Sequence, residues 1–248
     1  MSASLLAVAV LGPTVVVVAA LFAVLWRERT SRHEGVVALV SGGALAVWAV
    51  LATILARQGF FQPSTAESVP PIGVNLVVVL LVVAISLAVS PSLRCLLSRQ
   101  ANLIRLHLWR FEGIVFLILM VQGQMPALWA LPAGIGDILV AGTATWIAGH
   151  LDSPGGSRRA ITWNLLGIAD LIVAVALGIM TNPGPTQVFY TTPTSEMVTR
   201  FPLALVPAFL VPLAFILHVI SLWQLLGGTW ARKSVQPGLF RASPGGAG

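Results

Sequence analysis

Residues 74–89 read Val-Asn-Leu-Val-Val-Val-Leu-Leu-Val-Val-Ala-Ile-Ser-Leu-Ala-Val and contain no charged side chain. In water, so many β-branched residues would favour a strand. In a bilayer only helices and closed barrels satisfy their backbone hydrogen bonds, and barrel strands are alternating segments of about 10 residues. The run is continuous and not alternating, so it predicts a membrane-spanning helix.

The composition of the whole chain agrees with this reading. Of its 248 residues, 57% are hydrophobic and 9% are charged, and the mean hydropathy is +0.92. Soluble domains carry roughly 25% charged residues, so a soluble globular domain and a disordered chain are excluded. The basic residues separate the apolar runs and do not form one patch, so nucleic acid is not an expected partner. The single cysteine, Cys95, excludes an intramolecular disulfide and a cysteine-based metal site.

Seven apolar stretches are long enough to cross a bilayer, which takes about 20 helical residues. They cover about 5–26, 36–56, 73–91, 103–124, 127–149, 160–181 and 202–226. We therefore predict an all-α, polytopic transmembrane bundle of seven helices that forms one domain over residues 1–230. Within it, residues 1–102 are expected to be scaffold or oligomer surface, and residues 103–230 to carry a polar site. Residues 231–248 are predicted to be a disordered cytoplasmic tail.

The basic residues predict the orientation of this bundle. Eleven of the fourteen fall on the side that includes the C-terminal tail, whereas the opposite side holds only Arg57 and Arg200. Because positive charge is enriched in cytoplasmic loops, the N-terminus is predicted outside and the C-terminus in the cytoplasm. Seven tryptophans fall near the predicted interfaces, as in an aromatic belt: Trp129 near the outer one, and near the inner one Trp26, Trp109, Trp146, Trp163, Trp223 and Trp230. The predicted location is the inner (plasma) membrane of a bacterium, with the lipid bilayer as partner and a homo-oligomer or a larger membrane complex as open alternatives.

Six ionisable side chains fall inside the predicted spans, where a charge costs about 2.5–3.5 kcal/mol on insertion scales. They are His107, Arg110, Glu112, Asp137, Asp170 and His218. By position, the three carboxyl groups and His218 share a narrow slab near the midplane, on four consecutive spans, with Arg110 just beneath it. Asp137 and Asp170 lie on faces of small residues, which mark contacts between membrane helices, so both are expected to point into the bundle.

The last span and a weak internal repeat add to this picture. Pro202, Pro207 and Pro212 remove backbone donors and free carbonyls that a neighbour, water or a ligand must satisfy. Residues 134–141 and 167–174 resemble each other, as the halves of an inverted repeat would. These features favour proton- or cation-linked binding or transport of a small solute. The expected site residues are Glu112, Asp137, Asp170, His218 and Arg110.

Other interpretations of the same residues remain open. In a structural network, Arg110 would pair with Glu112 or Asp137, and His218 would hydrogen-bond Asp170. In a membrane redox protein, His107 and His218 would be the axial ligands of haem b. In a metal-dependent intramembrane hydrolase, Asp137, Asp170 and His218 would hold a divalent ion. The chain could also be an accessory subunit of a larger complex.

Sequence motifs of known enzymes are missing, which argues against enzymatic activity. The chain has no GxSxG, HExxH, CxxC or Walker loop. We therefore assign no catalytic residue. The first expectation is a protein without a cofactor, and the alternatives are haem b or a divalent metal.

Four runs in the second half of the chain carry a resemblance. They are RFEG at 110–113, PAGIGD at 132–137, WNLLGIAD at 163–170 and FPLALVPAFLVP at 201–212, which His218 follows. Together they resemble an uncharacterised group of small bacterial membrane proteins, over roughly residues 103–226. The resemblance implies a prokaryotic plasma-membrane location and one structural unit built from these runs. It implies no activity.

Overall fold

The structure, a computed structural model, describes residues 1–62 and 71–227. Across these ranges the chain is all-helical and contains no strand. The cytoplasmic tail predicted over 231–248 lies outside the described residues.

Most of the described residues lie in helical segments. In chain order they are α1 (Ala3–Glu28), α2 (Arg32–Arg57), α3 (Pro71–Val89), α4 (Pro91–Leu96), α5 (Gln100–Arg105), a 3-10 segment (Leu106–Glu112), α6 (Gly113–Val121), α7 (Ala127–Gly149), α8 (Gly156–Thr181), a 3-10 turn (Glu196–Thr199), a π-helical segment (Val206–Leu210) and α9 (Val211–Leu225). Six helices are long and apolar enough to cross a membrane: α1, α2, α3, α7, α8 and the combined π segment and α9. The chain is therefore a multi-pass membrane protein.

The span predicted over 103–124 is not one α-helix. Its residues are divided among α5, the 3-10 segment and α6, none of which is long enough to cross a membrane alone. The 3-10 segment contains the polar run of this span. Because a 3-10 helix has about three residues per turn, side chains three apart point the same way. His107 and Arg110 consequently share one face, and that face points into the bundle, where both side chains are fully buried.

The second half of the chain forms the centre of the bundle. Helix α7 packs against α8, α6 and the 3-10 segment, and α9 packs against α8 and α5. In the last helix, 67% of the most apolar 18-residue stretch is buried, whereas α3 has no buried residue. Helix α1 packs against α2 and the 3-10 segment. The six ionisable residues of the spans therefore lie on central elements.

Two glycines let α6 and α7 come into backbone contact. A Cβ atom on Gly113 would lie 2.8 Å from the carbonyl oxygen of Gly134 and 2.6 Å from the Cβ atom of Asp137. Small residues allow such close approach between membrane helices. This contact brings the 3-10 segment, which ends just before Gly113, against the part of α7 that carries Asp137.

One carbonyl freed by the prolines of the last helix is paired by a side chain of α3. Pro212 has no backbone N–H to donate to the carbonyl of Ala208, one helical turn earlier. The Nδ2 atom of Asn75 donates to this carbonyl over 2.8 Å. Helix α3 is thus joined to the last helix by a specific polar contact as well as by apolar packing.

Candidate functional site

Arg110 is the centre of the polar cluster and has no exposed surface. Its Nε atom donates to Oδ1 of Asp137 over 2.6 Å, and one terminal nitrogen donates to Oδ2 of Asp170. The other terminal nitrogen lies 3.0 Å from Nε2 of His218. One guanidinium on the 3-10 segment therefore joins α7, α8 and α9.

The hydrogen bonds around His218 assign its tautomer. A guanidinium only donates, so Nε2 of His218 accepts from Arg110 and carries no proton. The Nδ1 atom then carries the proton and donates to Oδ1 of Asn164 over 2.9 Å. This assignment follows from the donor and acceptor pattern. Both ring nitrogens of His218 are thus occupied by protein partners.

Beyond His218 the hydrogen bonds continue toward the start of α5. The Nδ2 atom of Asn164 donates to Oγ of Ser221 over 2.8 Å. The side-chain amide of Gln100 also donates to this hydroxyl, and to the carbonyl of Ser221 over 3.3 Å. We call the series Asp137, Arg110, His218, Asn164, Ser221 and Gln100 the polar string. It runs through α7, the 3-10 segment, α9, α8 and α5.

Two glycines make room for the charged side chains. The carboxylate of Asp170 occupies the position that a Cβ atom on Gly136 would take, and the imidazole of His218 does the same at Gly167. Any larger residue at these positions would push the polar group away from Arg110. The glycines that precede Asp137 and Asp170 in the sequence are therefore part of the site.

Glu112 is buried beside the cluster without joining it. It is 6% exposed, and neither carboxyl oxygen has a hydrogen-bond partner among the described residues. It lies close enough to Asp137 for the two carboxylates to repel each other. Of the two pairings left open for Arg110, with Glu112 or with Asp137, the described residues show the one with Asp137, because Arg110 uses its donors on Asp137, Asp170 and His218.

His107 is also fully buried, and its two ring nitrogens have no partner within the described part of the chain. Its ring is stacked on that of His218, with centroids 3.9 Å apart, and meets Trp163 edge-on at 5.2 Å. His107 thus contacts the cluster through ring faces and not through hydrogen bonds.

The charges of the cluster do not balance. Arg110 supplies one positive charge, whereas Asp137, Asp170 and the nearby Glu112 supply up to three negative ones. Uncompensated charge is costly in a low-dielectric interior. Charge balance in the cluster therefore requires protons or an added cation.

A cavity of about 130 Å³ opens onto the cluster. It lies between the first turn of α3, α7, α8 and the π segment, and residues 182–186 line its far end. Asp137 is the only charged residue among the described residues that line it, and the Asp137 side chain is 14% exposed. The same carboxylate is therefore both a partner of Arg110 and part of the cavity wall.

The geometry does not fit a haem held by His107 and His218. Axial ligands lie on opposite faces of a porphyrin, and rings stacked at 3.9 Å leave no space for one between them. Both nitrogens of His218 are also hydrogen-bonded already.

A metal site of Asp137, Asp170 and His218 fits no better. All three groups face Arg110, whose guanidinium lies where the ion would be. Across residues 1–62 and 71–227, no three His, Cys, Asp or Glu side chains are grouped so that they could hold a metal ion.

The structure changes several details of the sequence-based picture. His218 bonds Arg110 and Asn164, and not Asp170 as expected for a structural network. Trp129 and Trp163 are buried, at 4% and 6% exposure, so they do not belong to an aromatic belt. Trp129 donates to the carbonyl of Ala174 over 2.8 Å, and Trp163 to Oγ1 of Thr143 over 2.9 Å.

Three amide side chains take part in the hydrogen bonds of the bundle and were not predicted as site residues: Asn164, Gln100 and Asn75. A signal was present, because each is an amide side chain in or beside a long apolar run. Such groups need partners in a membrane.

The model of one protein family, a domain of unknown function (DUF8737), matches residues 69–226. The chain belongs to this family. No curated protein and no solved structure matches it. The DUF8737 region begins just before α3 and ends with α9, so it includes every segment of the cluster and of the polar string, and all described residues of the cavity wall except Phe61. It is longer than the resemblance over 103–226 by α3 and α4, and α3 is the helix that contributes Asn75.

Proposed function

We propose that this protein binds a small solute together with a proton or a cation and moves it across a membrane. The observation that carries the proposal is the double role of Asp137. Its carboxylate lines a cavity and is bonded to a buried guanidinium that also holds Asp170 and His218. Binding at the cavity wall is thereby linked to the protonation of groups on three other segments.

The two ends of the site support movement across the membrane. The cavity lies at the end of the bundle where α7 begins and α8 ends, and Gln100 lies at the opposite end, where α8 begins. The polar string joins these ends through the bundle. Buried chains of Asp, Glu and His groups are a common feature of proton pathways, and the polar string contains Asp137 and His218.

We also propose seven crossings, with α5, the 3-10 segment and α6 acting together as the fourth. The terminal amine of Met1 donates to Oε1 of Gln122, which follows α6, over 2.5 Å. This contact supports a crossing that starts at Gln100 and ends beside the N-terminus. The proposed setting is a bacterial plasma membrane, with the N-terminus outside and the C-terminus in the cytoplasm.

Flux through proteoliposomes tests this function. The purified chain is reconstituted with a pH-sensitive dye inside the vesicles and challenged with inorganic cations, organic cations, neutral amphiphiles and organic anions. We expect at least one class to drive proton movement, and Asp137→Asn and Asp170→Asn each to abolish it. The matched control is Asp152→Asn, in an exposed loop, which should behave as wild type.

Insertion is checked separately by circular dichroism and by gel filtration of each variant. Wild-type flux in both Asp137→Asn and Asp170→Asn would rule out this site, and so would a complete lack of proton movement with every class in the wild-type protein.

A further inference from the structure

We propose, resting on the function above, that the solute is a small amphiphilic organic cation and that it exchanges with a proton at Asp137. Such a molecule has an aromatic or apolar body and a positively charged ammonium group. Three observations lead to this class: the apolar walls of the cavity, the one charged group among its described residues, and the charge imbalance of the cluster.

Aromatic and aliphatic side chains form most of the cavity wall. Phe61, Phe116 and Trp129 contribute rings, and the rings of Phe116 and Trp129 lie 4.9 Å apart. The indole N–H of Trp129 is already used by the carbonyl of Ala174, so this ring presents an apolar face. Aromatic faces bind apolar bodies and also attract organic cations.

Among the described residues of the cavity wall, the one charged group that a ligand meets is acidic. Oδ1 of Asp137 accepts from Arg110, whereas Oδ2 has no hydrogen-bond partner within residues 1–62 and 71–227. Arg110 has no exposed surface, and each of its guanidinium nitrogens donates to a protein acceptor. An anion would therefore meet a carboxylate and no available cation among the described residues, while an organic cation would meet a carboxylate of opposite charge.

The volume of the cavity limits the size of the ligand. An apolar cavity of roughly 150 Å³ holds one benzene molecule, so a cavity of about 130 Å³ accommodates a group of similar size. A single aromatic ring or a short branched chain fits, whereas a long lipid chain would extend out of it.

The charge of the cluster explains why a proton would leave. The charged and titratable groups around Asp137 are Arg110 and Glu112 of the 3-10 segment, Asp170 of α8 and His218 of α9, with His107 stacked on His218. With surplus carboxyl groups, the cluster holds a proton when no ligand is bound. A bound cation supplies the same positive charge, so for each cation bound the O–H bond of one carboxylic acid breaks, the electron pair stays on the carboxylate, and one proton is released to water.

Benzyltrimethylammonium is the probe, because its permanent charge cannot itself release a proton. The full chain in nanodiscs is titrated calorimetrically with this cation, with benzyl alcohol as the neutral analogue and with phenylacetate as the anionic one. Repeating the titration in two buffers of different ionisation enthalpy counts the protons released. We expect the cation to bind best, with about one proton released per cation.

Two further measurements complete the test. Asp137→Asn should weaken binding of the cation about tenfold or more, because the buried charge partner is lost, and should leave benzyl alcohol unaffected. Asp152→Asn should match wild type. Acidification should weaken binding of the cation to the wild-type protein up to about tenfold per pH unit, because the proton competes for the same site. This measurement does not depend on the folding of a variant.

The inference is wrong if benzyl alcohol or phenylacetate binds as tightly as the cation, or if binding of the cation neither releases protons nor weakens on acidification. If neutral or anionic solutes alone drive proton movement in the proteoliposomes, the inference fails and the proposed function stands. If no solute drives proton movement and the cation does not bind, both fail.

Discussion

The carboxylate of Asp170 lies directly against Gly136 of the neighbouring helix, in the space that any side chain at position 136 would fill. The contact orients Oδ2 of Asp170 toward Arg110, which holds Asp137 from the other side. Because Gly136 of α7 has no side chain, the Asp170 carboxylate of α8 has space to reach Arg110. The contact also explains why glycine stands next to Asp137 in the sequence.

Gly136→Ala should therefore disturb the cluster without removing any charged group. Insertion of a methyl group into a packed interior typically costs about 1–3 kcal/mol, and here it would separate Asp170 from Arg110. We expect a lower thermal unfolding temperature in detergent and loss of proton-linked flux. Gly142→Ala is the matched control on the same helix, because a Cβ atom there meets nothing within 4 Å. Equal behaviour of the two variants would show that the contact at Gly136 has no importance.

Replacement of Arg110 should be the most damaging single change in the cluster. Arg110→Met leaves Asp137 and Asp170 buried without their cation, and removal of one partner of a buried ion pair costs about 3–5 kcal/mol. The expected result is a large loss of thermal stability and of folded protein after extraction. Combination with Asp137→Asn and Asp170→Asn should restore much of the stability and no flux. A triple variant as unstable as Arg110→Met would contradict the ion-pair explanation.

The contact between Asn75 and Ala208 predicts a stabilising role for α3. Asn75→Leu leaves a buried carbonyl unpaired, which costs about 1–3 kcal/mol. Thermal unfolding should shift downward, and the α3 side of the cavity should loosen. Ser86→Ala serves as control on the same helix, because the hydroxyl of Ser86 bonds only its own helix, at the carbonyl of Val82 over 2.7 Å. If the two variants melt alike, α3 is not held by this bond.

The proposed seven-crossing topology predicts opposite accessibility for Tyr190, in the segment that follows α8, and Ser157, in the first turn of α8. In a Cys95→Ser background, Tyr190→Cys should react with a membrane-impermeant thiol reagent added to intact cells. Ser157→Cys should react only after the cells are opened. Both positions are exposed, and Tyr190 is 84% exposed, so a missing reaction reports the side of the membrane and not burial. Reaction of both in intact cells would disprove the proposed orientation.

Much of the fold could be predicted from hydropathy alone. Runs such as 74–89 leave no choice but a helix in lipid, and the helices α1, α2, α3, α7, α8 and the last one follow the predicted stretches closely. The fourth stretch could not be predicted in detail, because hydropathy does not distinguish an α-helix from a 3-10 segment. Its irregular part coincides with the buried polar residues, where contacts with α7, α8 and α9 determine the backbone.

By itself, the sequence determined that the chain lies in a membrane and that a few ionisable residues stay in its interior. Both follow from the cost of moving charge out of water, which depends on residue type and position. Only the tertiary structure decided which groups meet: Arg110 with Asp137, Asp170 and His218, and Glu112 with none of them as a hydrogen-bond partner in the described residues. Hydrogen bonds act over about 3 Å, so they depend on how each helix is rotated and on the close approach that glycines permit. Neither property can be predicted from residue spacing along the chain.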